Sequence, residues 1–390
     1  MSRDFDIAVF GASGFTGKLV AEYLALRDKT DAPRRWALAG RDLAKLAAVQ
    51  TETGADAALI HADSDDPASL ADLARRARVV ITTVGPYQLY GSPMVAACAE
   101  AGTDYVDLCG ETAWMRAMID AHDAKAKASG ARIVFSCGFD SIPFDLGVAY
   151  LQDVARRRFG APCPRVKGRV RKLKGTFSGG TAASFRATLA AAAKDPATLA
   201  LLRDPFALTP GFSGPKQPSG NKPEYDEDVQ SWSAPFIMAA INTRNVHRSN
   251  QLSGGAYGAD FVYDEMMLTG PGEKGEKTAR AIAAAMNDMA NDKGPKPGDG
   301  PSRAEQESGL YDVLFVGYGP DNQRLDVSVK GDRDPGYGST SKMIGESAIA
   351  LLEDSAGVGG GVMTPAAAFG VKFTERLASR AGVSFAVERG

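Results

Sequence analysis

Residues 7–20 read IAVFGASGFTGKLV: an apolar run, glycines at 11, 14 and 17, then a stretch with a helical pattern. Each glycine has a physical task. Gly11 permits a tight turn off a strand, Gly14 lets a ligand approach the backbone, and Gly17 lets the helix lie close against the strand. A chain that starts this way is committed to a strand–turn–helix unit, and the following sequence repeats that unit.

From residue 5 to about 137, short β-branched runs alternate with Ala/Leu/Arg-rich helical stretches. Strands are expected at 5–10, 35–39, 57–62, 78–84, 104–109 and 132–137, with helices near 17–28, 42–53, 67–77, 93–101 and 112–129. Six strands with helical crossovers predict an α/β protein whose residues 1–149 form a doubly wound parallel sheet of the Rossmann type. Ser92-Pro93 gives a helix start, and Gly102 and Gly130 give helix ends. Beyond residue 150 the character changes. Residues 166–184 read as a strand, a glycine turn and a helix start, and 204–235, rich in Pro, Gly and Ser, read as long loops. Val313 and Phe315, then Leu325, Val327 and Val329, alternate as antiparallel strands do. A second, α+β domain with a mixed or antiparallel sheet is therefore expected over 150–340, for substrate binding or dimerisation. A helix from Ser341 to Glu353 opens a C-terminal segment, 341–390, expected to return to the first domain. The length of 390 residues agrees with two domains, at about 150 residues each.

A glycine-rich turn that opens a helix after the first strand predicts a dinucleotide site. The anionic pyrophosphate sits on unpaired N–H groups at the helix N-terminus, and Ser13, Phe15 and Thr16 complete the loop around it, two of them with hydroxyls. The end of the second strand selects the nicotinamide coenzyme. An NAD site places an acid there, whereas this chain gives WALAGRD, with Arg41 able to fork onto a 2′-phosphate. NADP is the expected coenzyme. Asp63, closing the third strand, either bonds the adenine amine or caps a turn. Val84, Gly85 and Pro86 form a turn beside the glycine loop, where the nicotinamide ribose passes.

Ligands of such sheets lie over the C-terminal strand ends, so reacting groups are sought there. Tyr87 either donates a proton or orients a substrate oxygen, or it covers the strand end as a half-buried aromatic. The fifth strand brings Asp107, Cys109 and Glu111 to the same edge, where the acids either position a substrate or cap the next helix; Glu111, just before TAWMRAMI, suits the cap. Tyr87 and Asp107 are the candidate catalytic residues. Asp140 and Ser141, leaving the sixth strand, are either close to the coenzyme or part of a structural turn.

Composition narrows the function class. Lys plus Arg number 45 against 47 Asp plus Glu, a net charge of −2, which leaves no basic excess for nucleic acid. Four cysteines (98, 109, 137, 163) without C-x-x-C spacing and three histidines (61, 122, 247) predict no metal site. The N-terminus runs straight into a strand with no basic-then-apolar leader. No apolar stretch approaches the ~18 residues of a membrane span, so a soluble, cytoplasmic protein with free thiols is expected.

GASGFTG, AGR, VGPY, YVDLCGE, GFDSIPFDLG and the late GGVMTPA together resemble the saccharopine dehydrogenase-like oxidoreductases, most of all their trans-acting enoyl reductase branch. The resemblance covers residues 7 to about 147 and again about 340–375. It implies an NADP-binding Rossmann domain with Gly11, Gly14, Gly17 and Arg41 at the coenzyme, an α+β second domain and a homodimer. For the enoyl reductase branch it implies hydride transfer to a carbon–carbon double bond of a lipid-like acyl substrate, carried as a small molecule or tethered to a synthase partner. Saccharopine-forming enzymes place a lysine near the substrate imine, and VGPYQLYG has none. Three functions follow: an NADPH-dependent enoyl reductase, an imine or carbonyl reductase of amino-acid metabolism, and a non-catalytic NADP-sensing module. The second requires cations such as Arg186, Arg244 or Arg248 to face the cleft.

Overall fold

The computed structural model describes residues 3–175, 179–288 and 300–390. The chain begins with alternating strands and helices: β1 (Phe5–Phe10), α1 (Phe15–Thr30), β2 (Trp36–Gly40), α2 (Leu43–Thr53), β3 (Ala58–His61), α3 (Pro67–Arg76) and β4 (Ala77–Thr82). There follow α4 (Tyr87–Tyr90), α5 (Ser92–Ala101), β5 (Asp104–Val106), α6 (Thr112–Ser129) and β6 (Arg132–Val134). These six strands lie parallel in the order β6-β5-β4-β1-β2-β3, with Ile7 opposite both Trp36 and Val79. Alternate residues of β1 serve opposite faces, Ile7 and Val9 one core and Ala8 and Phe10 the other, as burial on both sides demands.

After β6 the chain leaves through α7 (Ile142–Phe159) into β7 (Arg165–Lys174), α8 (Gly179–Lys194), α9 (Pro196–Arg203), β8 (Glu224–Asp226) and β9 (Ser231–Pro235). It continues through α10 (Ala239–Leu252), β10 (Val262–Gly270), α11 (Gly272–Asp288), α12 (Arg303–Ser308), β11 (Leu310–Tyr318) and β12 (Arg324–Gly331). The second sheet is mixed, ordered β14-β12-β11-β7-β10-β9-β8 with β14 at Val383–Arg389. The loops expected across 204–235 thus contain two strands. Both are short, three and five residues, and their alternation is too brief to stand out among Pro and Gly.

The C-terminal segment divides between the two sheets. A wide helical turn, Pro335–Ser339, leads into α13 (Thr340–Glu353), which packs against α1, β4 and β5. β13 (Gly361–Met363) then adds a seventh parallel strand beside β6. After α14 (Pro365–Phe369) and α15 (Phe373–Arg376), however, β14 pairs antiparallel with β12 in the second sheet. The return expected for all of 341–390 therefore stops at α14. The alternation of VSFAVER turns Val383, Phe385 and Val387 inward, Phe385 against Tyr150 of α7 at 6.0 Å between ring centres, so the strand finds its place on the second sheet. One apolar core runs continuously from β1 and α13 through α7 to β11 and β12.

Candidate active site

The turn after β1 is built for an anion. Gly11 has φ +86°, the left-handed region that a side chain resists. A Cβ on Gly17 would lie 2.2 Å from the Gly11 carbonyl oxygen and 2.8 Å from Ala12 Cα, so only glycine lets α1 begin this close to β1. α1, with Gly14 at its N-cap, has no side-chain cap, and Gly14 is exposed. Its first N–H groups are thus free to meet a pyrophosphate. The hydroxyls of Ser13 and Thr16 have no partner among the described residues, and Phe15 is held edge-on to Tyr337 at 4.8 Å. Arg41 is exposed at the end of β2 and has no ion-pair partner among the described residues, while Asp42 beside it caps α2 by accepting from Lys45 N at 3.1 Å. These groups fit a 2′-phosphorylated dinucleotide. Asp63 follows β3 and uses Oδ1 to accept from Asp65 N at 3.1 Å, the turn-cap alternative. Val84 packs toward Gly11, and Gly85 and Pro86 lead into α4.

Beyond the loop opens a cavity of about 420 Å³ between the strand ends of the first sheet, α8 and α10. Gly14, Phe15, Thr16, Thr83 and Gly85 line its end beside the glycine turn, and Phe185, Leu189, Leu202, Ile237, Met238 and Ile241 form an apolar far end. Glu111, Thr112, Asp140, Tyr337 and Thr340 stand between. No Lys, Arg or His is on its wall among the described residues. Arg244, half-buried, donates to the Leu202 carbonyl at 2.7 Å, and the buried Arg248 to the carbonyls of Leu208 and Val362 at 2.7 and 2.5 Å; both are turned to the protein in those contacts. Arg186 is likewise absent from the wall.

The two candidate catalytic residues have other work. Tyr87 borders the cavity, but its hydroxyl donates to the Thr82 carbonyl at 3.2 Å and accepts from Leu108 N at 3.1 Å, tying the end of β4 to the end of β5. Burial holds this phenol well above its usual range, which opposes any phenolate. Asp107 is 0% exposed and does not reach the cavity. Its Oδ1 accepts from Cys109 N at 3.0 Å and Ser136 N at 2.9 Å, and Oδ2 from Tyr105 at 3.0 Å. Asp107 thereby turns the chain sharply after β5 and fastens the turn after β6, which is why those strands have three residues each where six were expected. Burial pushes its carboxyl up to about 7.

Glu111 precedes α6 yet makes no cap there. Its carboxylate crosses to α4, accepting from Tyr87 N and Gln88 N, each at 2.8 Å, and from Ser184 Oγ of α8 at 2.6 Å. It caps a helix 24 residues earlier in the chain, a pairing invisible in local sequence. Asp140 is half-buried on the cavity wall, bonded to its own N–H, and raised by burial to about 6. Its position after the sixth strand was the only sign of it in the sequence.

Comparison with known proteins places this architecture. Residues 7–134 match the family described as saccharopine dehydrogenase NADP binding domain. Over 416 aligned residues the chain is 41% identical to a Mycobacterium tuberculosis protein provisionally named a trans-acting enoyl reductase, covering 99% of this chain and 98% of the relative. It is 37% identical over 408 residues to the trans-acting enoyl reductase of Mycobacterium ulcerans, covering 96% of each. Among solved structures, apo saccharopine dehydrogenase (L-Glu forming) of Saccharomyces cerevisiae shares the fold, with a TM-score of 0.55 and 10% identity over 98% of this chain and 99% of that one. The chain belongs to the saccharopine dehydrogenase-like oxidoreductases, in the branch of the trans-acting enoyl reductases, and is an NADP-dependent oxidoreductase.

Proposed function

We propose that this protein reduces a carbon–carbon double bond in an enoyl thioester with an apolar chain. The observation that carries the reading is the cavity wall, which is apolar at its far end and carries two carboxylates and no cation among the described residues. A dicarboxylate amino-acid substrate would meet unpaired negative charge there and no guanidinium or ammonium to bind it. A neutral acyl chain gains about 0.8 kcal/mol for each methylene it buries.

NADPH, when bound, supplies the hydride. The chain's own residues bind and orient. Gly14, Ser13 and Thr16 hold the pyrophosphate, Arg41 the 2′-phosphate, and the Val84–Pro86 turn confines the ribose next to the cavity. Phe185, Leu189, Leu202 and Ile241 hold the acyl chain and exclude water. By the same reading the thioester is presented free or on a carrier belonging to a synthase partner.

The test is NADPH oxidation by the purified protein with two acceptors, a medium-chain trans-2-enoyl thioester and aminoadipate semialdehyde with glutamate. Turnover of the thioester alone is expected. Turnover of the amino-acid pair alone would reverse the assignment, and silence on both with NADPH bound would favour a sensor.

A further inference from the structure

Reduction of a conjugated double bond also requires a proton at the carbon beside the one that accepts hydride. Two carboxyls stand on the cavity wall. Glu111 is engaged on both oxygens by two backbone N–H groups and a hydroxyl, so protonating it would set an O–H against donors. Asp140 accepts from no side chain among the described residues, and its Oδ2 faces the open side of Gly110. It is also rigidly carried. On one side Phe139 N donates to Thr340 Oγ1 of α13 at 2.9 Å, with the Phe139 ring edge-on to Tyr311. On the other, Ser141 N donates to the Ser136 carbonyl at 2.9 Å, and Ser141 Oγ accepts from Asn245 Nδ2 of α10 at 2.8 Å. Asn245 is fully buried, and its only side-chain bond among the described residues is this one.

We propose that Asp140, in its acid form, is the proton donor of the reduction, and that Asn245 is a positioning residue acting on it through Ser141. This rests on the enoyl reading above. As hydride adds to the β-carbon, the π pair passes to the α-carbon and its carbonyl. The Asp140 O–H bond then breaks as its proton forms the new α C–H bond. The carboxylate left behind is reprotonated from solvent; the coenzyme is oxidised by two electrons and the alkene reduced by two. A carboxyl raised to about 6 by burial keeps its proton in about a tenth of molecules at pH 7, against about a thousandth for an ordinary aspartate. The titratable neighbours are Glu111, Cys109 and the deeper Asp107 from the turn after β5, Tyr87 from α4 and Tyr337 from the 335–339 turn. None is cationic. α8, α10 and α13 present Ser184, Asn245 and Thr340 there, all uncharged.

The experiment uses the full chain, with Asp140→Asn, Asp140→Glu and Asn245→Ala, and reads NADPH binding by fluorescence and turnover of the enoyl thioester across pH 5–9. Asp140→Asn is expected to lower kcat at least about 100-fold with NADPH affinity unchanged, and Asp140→Glu to retain part of the activity. Wild-type kcat falls as pH rises above about 6, while the residual Asn activity is flat. Asn245→Ala is expected to lower kcat and move the fall-off to lower pH with KM unchanged, a shift that a purely structural role would not produce. Asp140→Asn turning over at the wild-type rate overturns the assignment alone, and so does loss of NADPH binding in that variant. Wild-type protein that binds NADPH and leaves the thioester unreduced overturns the enoyl reading and this assignment with it.

Discussion

Arg41 stands alone at the end of β2, its guanidinium unpaired among the described residues while Asp42 next to it is turned into α2 as a cap. A charge-assisted contact to a 2′-phosphate contributes about 1.5–3 kcal/mol, so Arg41→Ala is expected to weaken NADPH about 10–100-fold and leave NADH nearly unchanged. Fluorescence titration with both coenzymes reads the ratio; an unchanged ratio would remove Arg41 from the site. Residues of this kind were legible because their task is set by the backbone they sit on: glycine spacing fixes the turn, and the strand end fixes Arg41. Tyr87, Asp107 and Glu111 were legible only as far as their address. All three lie at the strand ends as expected, yet which way each side chain points is decided by tight turns after three-residue strands and by partners such as Leu108, Ser136 and α4. A single sequence contains no local signal for those bonds.

At the scale of elements, the apolar end of the cavity is set by α8, α9 and α10. Leu189 of α8 lines the cavity while remaining 38% exposed, so a larger side chain there meets little of the core. Leu189→Trp is expected to lower kcat/KM roughly tenfold for long acyl thioesters, by analogy with pocket discrimination among methylenes, while short ones and NADPH affinity are spared. A chain-length series measures it, and a uniform loss across lengths would place Leu189 outside the acyl path. Long, periodic elements such as α6, α13 and β11 declare themselves in sequence. Among those that did not are β8, β9 and β13, whose three to five residues are defined by the neighbours they join. β13 follows Gly359 and Gly360, itself opens on Gly361, and becomes a strand because β6 offers it an edge.

Across the molecule, several buried carboxyls set the acid–base balance of folding. Burial raises Asp107 and Asp145 to about 7 and Glu265 to about 8. The folded state therefore holds protons that the unfolded chain has released, and stability is lost as pH rises through 7 and 8. His247 acts oppositely: burial lowers it to about 4, so its contribution grows from pH 4 to about 6.5 and is complete above that. Tm is thus expected to fall between pH 6.5 and pH 8.5 at constant ionic strength, followed by calorimetry; a rise over that interval would contradict the burial argument.

The chain passes between its two sheets three times, through α7, through α13 and again on the way to β14. The first sheet is completed by residues more than 200 positions downstream of its sixth strand, with Met343, Ile344, Ile349 and Val362 fully buried there. The coenzyme-binding third is consequently no cassette to be excised and transplanted. Its covering helix and last strand belong to the other end of the gene, so recombination that exchanged one sheet between relatives would have to exchange two separate stretches of coding sequence together.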